Sequence, residues 1–418
     1  MTSAVLAAAL AATMMTPWGE KVTDDNAWRE YPRPQMVRDN WTCLNGRWDY
    51  AVVSNDVDGW SHEIAKGRIR VPFPIESALS GVGRLTGKDE LIEYRRTFDV
   101  KARKGFRQIL RFDGVDYRAQ VFVNGVEAGV PHEGAFTGFS YDVTDLVKDG
   151  VNDLMVRVWD PTEGFVNPLG KQSTTPKGCF YTRMSGIWQT VWLETVPETY
   201  VESYKVVPDI DKGTVTVTVN AKGNLNDVSG EIFVWAPGCS SRTPLVSRSF
   251  VSAGKPIEVK IPGDPELWSP ENPALYDIAI ELKTGAGWFG CDTCDKVWGH
   301  FAMRKFEKRR DAKGVLRFFL NNQPYFIVGT LDQGWWPDGL LTPPSEEAMA
   351  HDIRTLKDCG FNMMRKHIKV EPLRYYALCD KMGLLVIQDL PSGSGDWGDP
   401  MRRRRSPATA CSARSRRR

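Results

Sequence analysis

From about residue 40 to about residue 308, apolar residues recur at every second position or in short runs, never with the spacing of a helix. Such a pattern confines the chain to antiparallel sheets packed face to face, because each sheet must bury one side. Thr214-Val-Thr-Val-Thr-Val219 alternates strictly, as a half-buried strand does. Val121-Phe-Val-Asn-Gly-Val126 predicts a hairpin, since Asn-Gly supplies the positive φ angles of a two-residue turn. Ile109–Phe112, Leu154–Val158 and Gln189–Leu193 are further strand candidates between clusters of Gly, Asp and Pro.

Beyond residue 198, Ile232–Trp235, Ile257–Ile261 and Tyr276–Leu282 follow at sandwich-like spacing, which fits one immunoglobulin-like domain of ~100 residues. The 15 Trp, 37 Gly and 26 Pro agree with a β-rich body. Each Trp is read first as core filling, although flat aromatic faces also suit the apolar C–H faces of sugar rings.

At about residue 309 the period changes. Tyr325–Val328 reads as a buried strand. Ser345 is placed to cap a helix whose Met349, Ile353 and Leu356 share one face, and Gly360 ends it. Asn362–Met364 reads as a strand, Glu371–Lys381 as a helix and Leu384–Ile387 as another strand. That succession means parallel βα units, of which about two and a half are visible.

Residues 401–418 carry eight arginines and no acid, leaving the first 400 residues at −6. An acidic body gives no electrostatic reason to expect nucleic acid as a partner. The tail cannot build a core. It is read as a wrong reading frame or a truncated gene model rather than a binding arm. No run of ~18 apolar residues is present, so no membrane-spanning helix is expected. Val5–Ala12 is long enough for a signal-peptide core, which would mean export to the periplasm or secretion. No Lys or Arg precedes it, and the competing reading is an upstream start with the protein proper beginning near Met15. Of the eight cysteines only Cys291-Asp-Thr-Cys294 has metal-like spacing, and no second pair accompanies it. No metal site and no cofactor are expected.

Active sites of parallel βα barrels lie at the C-terminal ends of the strands. The first end carries Asp332, Gln333, Trp335 and Trp336, the second Arg365 and His367, the third Asp389. A carboxylate, a guanidinium, an imidazole and an indole pair on one face suit a polyol substrate.

Several segments carry a resemblance. Pro32–Arg38, Trp41–Tyr50, Val71–Ser77, Tyr94-Arg-Arg-Thr-Phe98, Phe122-Val-Asn-Gly125 and Ser185-Gly-Ile-Trp-Gln-Thr-Val-Trp-Leu-Glu194 together resemble the opening of glycoside hydrolase family 2. This is the family of β-galactosidases, β-glucuronidases and β-mannosidases. The resemblance covers residues 17 to 400 or so. It implies a mainly β chain: a jelly-roll sugar-binding domain at 28–197 after a leader-like 1–27, and an immunoglobulin-like sandwich at 198–308. The first units of an incomplete (β/α)₈ barrel follow at 309–400, before the arginine-rich 401–418.

Family members are retaining glycosidases that use two glutamates ~5–5.5 Å apart. By resemblance these follow strands four and seven of the barrel, the first in an Asn-Glu pair. This chain contains no Asn-Glu dipeptide, so both catalytic glutamates are expected to be missing. Glu346, Glu347 and Glu371 are assigned to helices and are poor substitutes. What carries over is a substrate-binding shell of Arg365, His367, Asp332, Asp389, Trp335 and Trp336. Arg365 matches an arginine after the family's second strand, near the nucleophile. His367 stands two residues from the arginine, where the better-known β-galactosidases have three. Asp389 matches the end of strand three. Those β-galactosidases also place an acid just before Trp-Arg-Met-Ser-Gly, and Cys179-Phe-Tyr-Thr-Arg-Met-Ser-Gly186 has none. Lys171-Gln172 on the preceding loop could reach the sugar instead. The expected function is hydrolysis of terminal β-O-glycosidic bonds of oligo- or polysaccharides with retention, by a chain inactive in this form. The alternative is a non-catalytic carbohydrate-binding β-sandwich protein. The expected partner is a carbohydrate, with neither nucleic acid nor membrane.

Overall fold

The computed structural model describes residues 14–55, 67–163, 167–284 and 293–392. The apolar run at Val5–Ala12, the side chains of Cys291 and Cys294 and the arginine-rich segment lie outside the described residues.

The first unit is a jelly-roll sandwich. One sheet runs in the order Gly67–Val71, Gly46–Ser54, Glu90–Val100, Gly150–Trp159, Arg118–Val123 and Val126–Glu127. The other runs Trp41–Cys43, Val191–Pro197, Phe106–Phe112 and Phe139–Asp142, all antiparallel. Their inner faces share one core in which Trp48, Tyr94, Leu110, Phe112, Leu154 and Val156 are buried. The predicted hairpin is present. Asn124 and Gly125 both take positive φ, +49° and +85°, and set Val123 opposite Val126.

Among the described residues the second unit has seven strands, as an immunoglobulin-like sandwich of the constant type does. Tyr200–Asp209, Thr214–Lys222 and Pro256–Lys260 form one sheet. Val246–Phe250, Val228–Trp235, Tyr276–Thr284 and Thr293–Phe301 form the other. Val215, Val217 and Val219 are fully buried, while Thr216 and Thr218 stay half-buried, as the alternation requires.

After a small antiparallel sheet of Phe306–Arg310, Leu316–Leu320 and Gln323–Pro324, the βα region begins. Its strands are β1 (Gly329–Asp332), β2 (Met363–Lys366) and β3 (Leu385–Gln388), parallel and adjacent in that order. Its helices are α1 (Glu346–Asp358) and α2 (Leu373–Met382). The Ser345 side chain accepts from the Ala348 amide and caps α1.

Two expected elements move. Tyr325–Val328 is not a buried strand; β1 starts at Gly329, and Phe326 is 82% exposed. The Asn362 side chain takes the hydrogen bonds that a ladder would use, accepting from the Val328 amide and donating to the Phe326 carbonyl, both at 2.9 Å. Glu371 lies outside its helix, which begins at Leu373. Pro372 disfavours helical geometry for the residue before it.

The helices cover one face of the three-stranded sheet. Met364 packs there with Met349, Ile353, Tyr375 and Cys379. Hydrogen bonds dock this region on both sandwiches. The indole of Trp268 donates to the Asp380 carbonyl and that of Trp28 to the Pro343 carbonyl, at 2.7 and 2.8 Å. The Thr342 hydroxyl donates to the Trp188 carbonyl at 2.7 Å. Residues of the leader-like segment take part, since the amide and hydroxyl of Thr16 both donate to Asp338 Oδ2.

Candidate active site

Side chains alternate across a strand, and register ties the three strands together. Leu331 sits beside Arg365, and Arg365 beside Ile387. His367 and Asp389, each two residues further on, follow the same parity. Arg365, His367 and Asp389 therefore meet on the face the helices leave open. Arg365 donates twice to Asp389, from Nη2 to Oδ2 at 2.8 Å and from Nε to Oδ1 at 3.1 Å. His367 Nδ1 stands 2.7 Å from Asp389 Oδ2. The hydrogen bond from Arg365, then that from His367, hold the Asp389 carboxyl below the usual carboxylate range. In turn Asp389 raises the guanidinium of Arg365. The forked pair fixes where a permanent positive charge points.

Asp332 falls on the other parity and belongs to a different group. Its carboxylate pairs with Lys366, whose Nζ also lies 2.9 Å from Glu371 Oε1. Lys369 Nζ is 2.9 Å from Glu371 Oε2 and donates to the carbonyls of Gly334 and Leu341, both at 2.7 Å. Lys366, Lys369 and Glu371 are buried. Burial opposes the charge on Lys366, but Glu371 and Asp332 outweigh it and raise its pKa. Burial dominates at Lys369 and pulls it down to about 8 against the attraction of Glu371. Burial likewise opposes the Asp332 carboxylate, and Lys366 overcomes it, lowering the pKa. The network alternates two anions with two cations beneath the strand ends. Sequence reading missed it, although Lys366 stands at the same parity as the core residue Met364, where a charge must find a partner.

The two indoles part company. Trp335 is 39% exposed and its ring tilts against Tyr181 of the jelly roll, centroids 6.2 Å apart. Trp336 is buried and exchanges backbone hydrogen bonds with Leu340. Gln172 is committed inside the jelly roll, donating to Asp116 at 3.1 Å and accepting from the Met184 amide at 2.7 Å. Its loop still reaches the strand ends, because the Gly170 amide donates to the Ser392 carbonyl.

The Arg-Met-Ser-Gly segment turns inward. Arg183 is buried, donates to Thr162 at 2.8 Å and to Thr86, and stands 3.6 Å from Glu76. Ser185 donates to Asp160 from its hydroxyl and to Glu76 from its amide. Burial pushes Glu76 up to about 8 against Arg183, and raises Asp116 and Asp160 too. Three buried acids around one guanidinium hold the loop; they are not an open site.

A model of glycosyl hydrolases family 2, sugar binding domain, matches residues 33–197, and a model of glycosyl hydrolases family 2 matches residues 199–295. Together they take in more than half of the chain. Among curated proteins, a putative β-glucuronidase of Formosa agariphila is 28% identical over 69% of this chain and 33% of its own length. A β-galactosidase of Thermoanaerobacter pseudethanolicus is 26% identical over 73% of this chain and 40% of its own. The chain thus spans well under half the length of these relatives. Among solved structures, a Bifidobacterium dentium β-glucuronidase complexed with coumarin-3-O-glucuronide superposes with a TM-score of 0.69. That match covers 85% of this chain and 62% of the other at 20% identity, a likeness of fold.

Proposed function

Because the chain belongs to glycosyl hydrolases family 2, we propose that it supplies the substrate-gripping part of a β-glycosidase, with Arg365, His367 and Asp389 in the sugar pocket. The observation that carries this reading is the forked Arg365–Asp389 pair with His367 on the same carboxylate, at the C-terminal ends of adjacent parallel strands. A fixed guanidinium there can orient a neighbouring carboxylate nucleophile and keep it ionised. An imidazole held by its Nδ1 side offers its other nitrogen to a sugar hydroxyl.

Hydrolysis with retention needs two further carboxyl groups about 5–5.5 Å apart, one as nucleophile and one as acid/base. The acids near the strand ends are already engaged. Asp389 is held by Arg365 and His367, Asp332 by Lys366, and Glu371 by two lysines. The Asn-Glu dipeptide that the family resemblance implies is absent from this sequence, and on that reading the 418-residue chain alone binds sugar without turning it over. The candidate glycosides are β-glucuronides and β-galactosides, by similarity to the β-glucuronidase and the β-galactosidase described above.

The test is hydrolysis of nitrophenyl β-glucuronide, β-galactoside and β-mannoside. The 418-residue chain is expected to be inactive, and a longer chain that continues the βα array to be active. Turnover by the 418-residue chain would overturn the inactivity, and an active longer chain indifferent to Arg365→Ala would overturn the pocket assignment.

A further inference from the structure

A second concave surface lies on the outer face of the immunoglobulin-like sheet. Cross-strand register sets Phe233, Ala279 and Trp298 in one row and Trp235, Asp277 and His300 in the next. Small Ala279 leaves room between large neighbours. The rings of Trp235 and Trp298 have centroids 5.4 Å apart and planes 33° from parallel. Phe233 adds a third ring, 6.1 Å from Trp235.

Trp48, Trp188, Trp192 and Trp268 are fully buried, whereas Trp298 keeps 37% of its surface exposed. A cleft of about 600 Å³ opens beside it, walled by Pro34, Val37, Ser240, Ser241, Arg242 and Lys381. One wall is fixed in place. Val37 and Trp298 exchange both backbone hydrogen bonds, at 2.7 and 3.0 Å, and the Tyr204 hydroxyl donates to the Gln35 carbonyl. The volume lies within the roughly 300–1,000 Å³ of small-molecule sites. Phe233 and Trp235 stand two residues apart on one strand, and the Lys296 ammonium lies 4.5 Å from the centroid of the Trp298 ring. The 37% of Trp298 that stays exposed borders the walled cleft.

The surface is chemically two-sided. Indoles give flat apolar area, and the rim adds the hydroxyls of Ser240 and Ser241, the Asp277 carboxylate, the Arg242 guanidinium and the Lys381 ammonium. A pyranose ring answers both, with a C–H face for the indole and equatorial hydroxyls for the rim. We propose that this cleft is a saccharide-binding subsite, distinct from the strand-end pocket, which takes pyranose rings of a β-linked glycan against Trp298 and Trp235. The proposal rests on the glycosidase reading: a glycan gripped at two places stays at high effective concentration near the pocket.

Saturation-transfer NMR on the full 418-residue chain tests it, with cellopentaose, xylopentaose and mannopentaose as probes. The expected result is transfer to ring C–H protons of at least one probe. Read in the Arg365→Ala background, which removes the strand-end contribution, it should persist in Trp298→Tyr, which keeps a flat face, and weaken about tenfold or more in Trp298→Ala, as for a lost aromatic anchor. Should Trp298→Ala fail to fold, Asp277→Ala at the exposed rim carries the test, since it must also weaken transfer. Silence with all three probes, or transfer unchanged in Trp298→Ala or Asp277→Ala, overturns the subsite. Transfer lost only in Arg365→Ala assigns the sugar to the strand ends; the subsite then falls while the proposed function stands.

Discussion

The Asp389 carboxylate takes two hydrogen bonds from the guanidinium of Arg365, at 2.8 and 3.1 Å, across the gap between adjacent parallel strands. The pair is solvent-facing, so salt and water weaken its share in stability. Its value is geometric, since the fork leaves the guanidinium one direction to point.

Replacing Arg365 should therefore separate activity from folding. In an active longer chain, Arg365→Ala is expected to lower kcat/KM by about 100-fold or more, the scale for a lost preorganised donor. The melting temperature should barely move. Arg365→Lys should rescue little, because a lysine cannot make the fork. Steady-state kinetics beside a thermal melt checks both parts, and a large melting shift would make Arg365 a structural residue.

Lys366 should behave in the opposite way. Its ammonium is buried between Asp332 and Glu371, and removing it leaves the buried Glu371 with Lys369 alone and the part-buried Asp332 without its ion-pair partner. Lys366→Met is expected to destabilise the βα region by about 3–5 kcal/mol, as for one partner lost from a buried pair. Adding Asp332→Asn should recover part of that loss, because Asp332 is the carboxylate that loses its ion-pair partner. Urea unfolding of the single and double variants measures the coupling, and simple additivity would show that the two groups do not depend on each other.

The buried acids of the jelly roll predict a pH dependence. Folded Glu76 keeps its proton up to about pH 8, whereas an unfolded glutamate releases it near 4.5. Between those values the folded state binds more protons, so stability falls as pH rises through that window. Asp116 and Asp160, both raised, act in the same direction. Asp116→Asn removes one of them and can still accept from Gln172. Its melting temperature should fall less than that of the unaltered chain between pH 5 and pH 8. Equal slopes would mean that Asp116 carries no proton at neutral pH.

Much of the fold was legible because local signals agreed with their surroundings. The Asn124-Gly125 turn, the Val215–Val217–Val219 stripe and the Ser345 cap each depend on a few neighbouring residues. The failures were non-local. Nothing near Phe326 announces that the Asn362 side chain will bond its carbonyl and the Val328 amide. Asp332 and Arg365 look equivalent at strand ends, and only the register places them on opposite faces. Trp335 and Trp336 are adjacent in sequence, yet one is exposed and the other is buried. The partners of Lys366 are equally non-local, since Asp332 comes from the neighbouring strand and Glu371 from the loop before α2.

The open face of the three-stranded sheet leads to the last prediction. Leu331 and Ile387 flank Arg365 in register and remain 45% and 43% exposed. Both strands carrying them are edges among the described residues. Exposed apolar side chains on an edge offer a template for another chain. The 418-residue chain is therefore expected to self-associate. Leu331→Lys with Ile387→Lys should suppress association, because a charge on each strand opposes pairing. A fragment ending after residue 308 should stay monodisperse, since each sandwich closes its own core. That fragment loses the partners of Trp28 and Trp268, whose indole N–H groups bond to Pro343 and Asp380. It should melt below the full chain yet unfold cooperatively. Size-exclusion profiles and melts of the three proteins decide the matter. A monodisperse 418-residue chain beside an insoluble fragment would show that the βα region completes the sandwiches rather than burdening them.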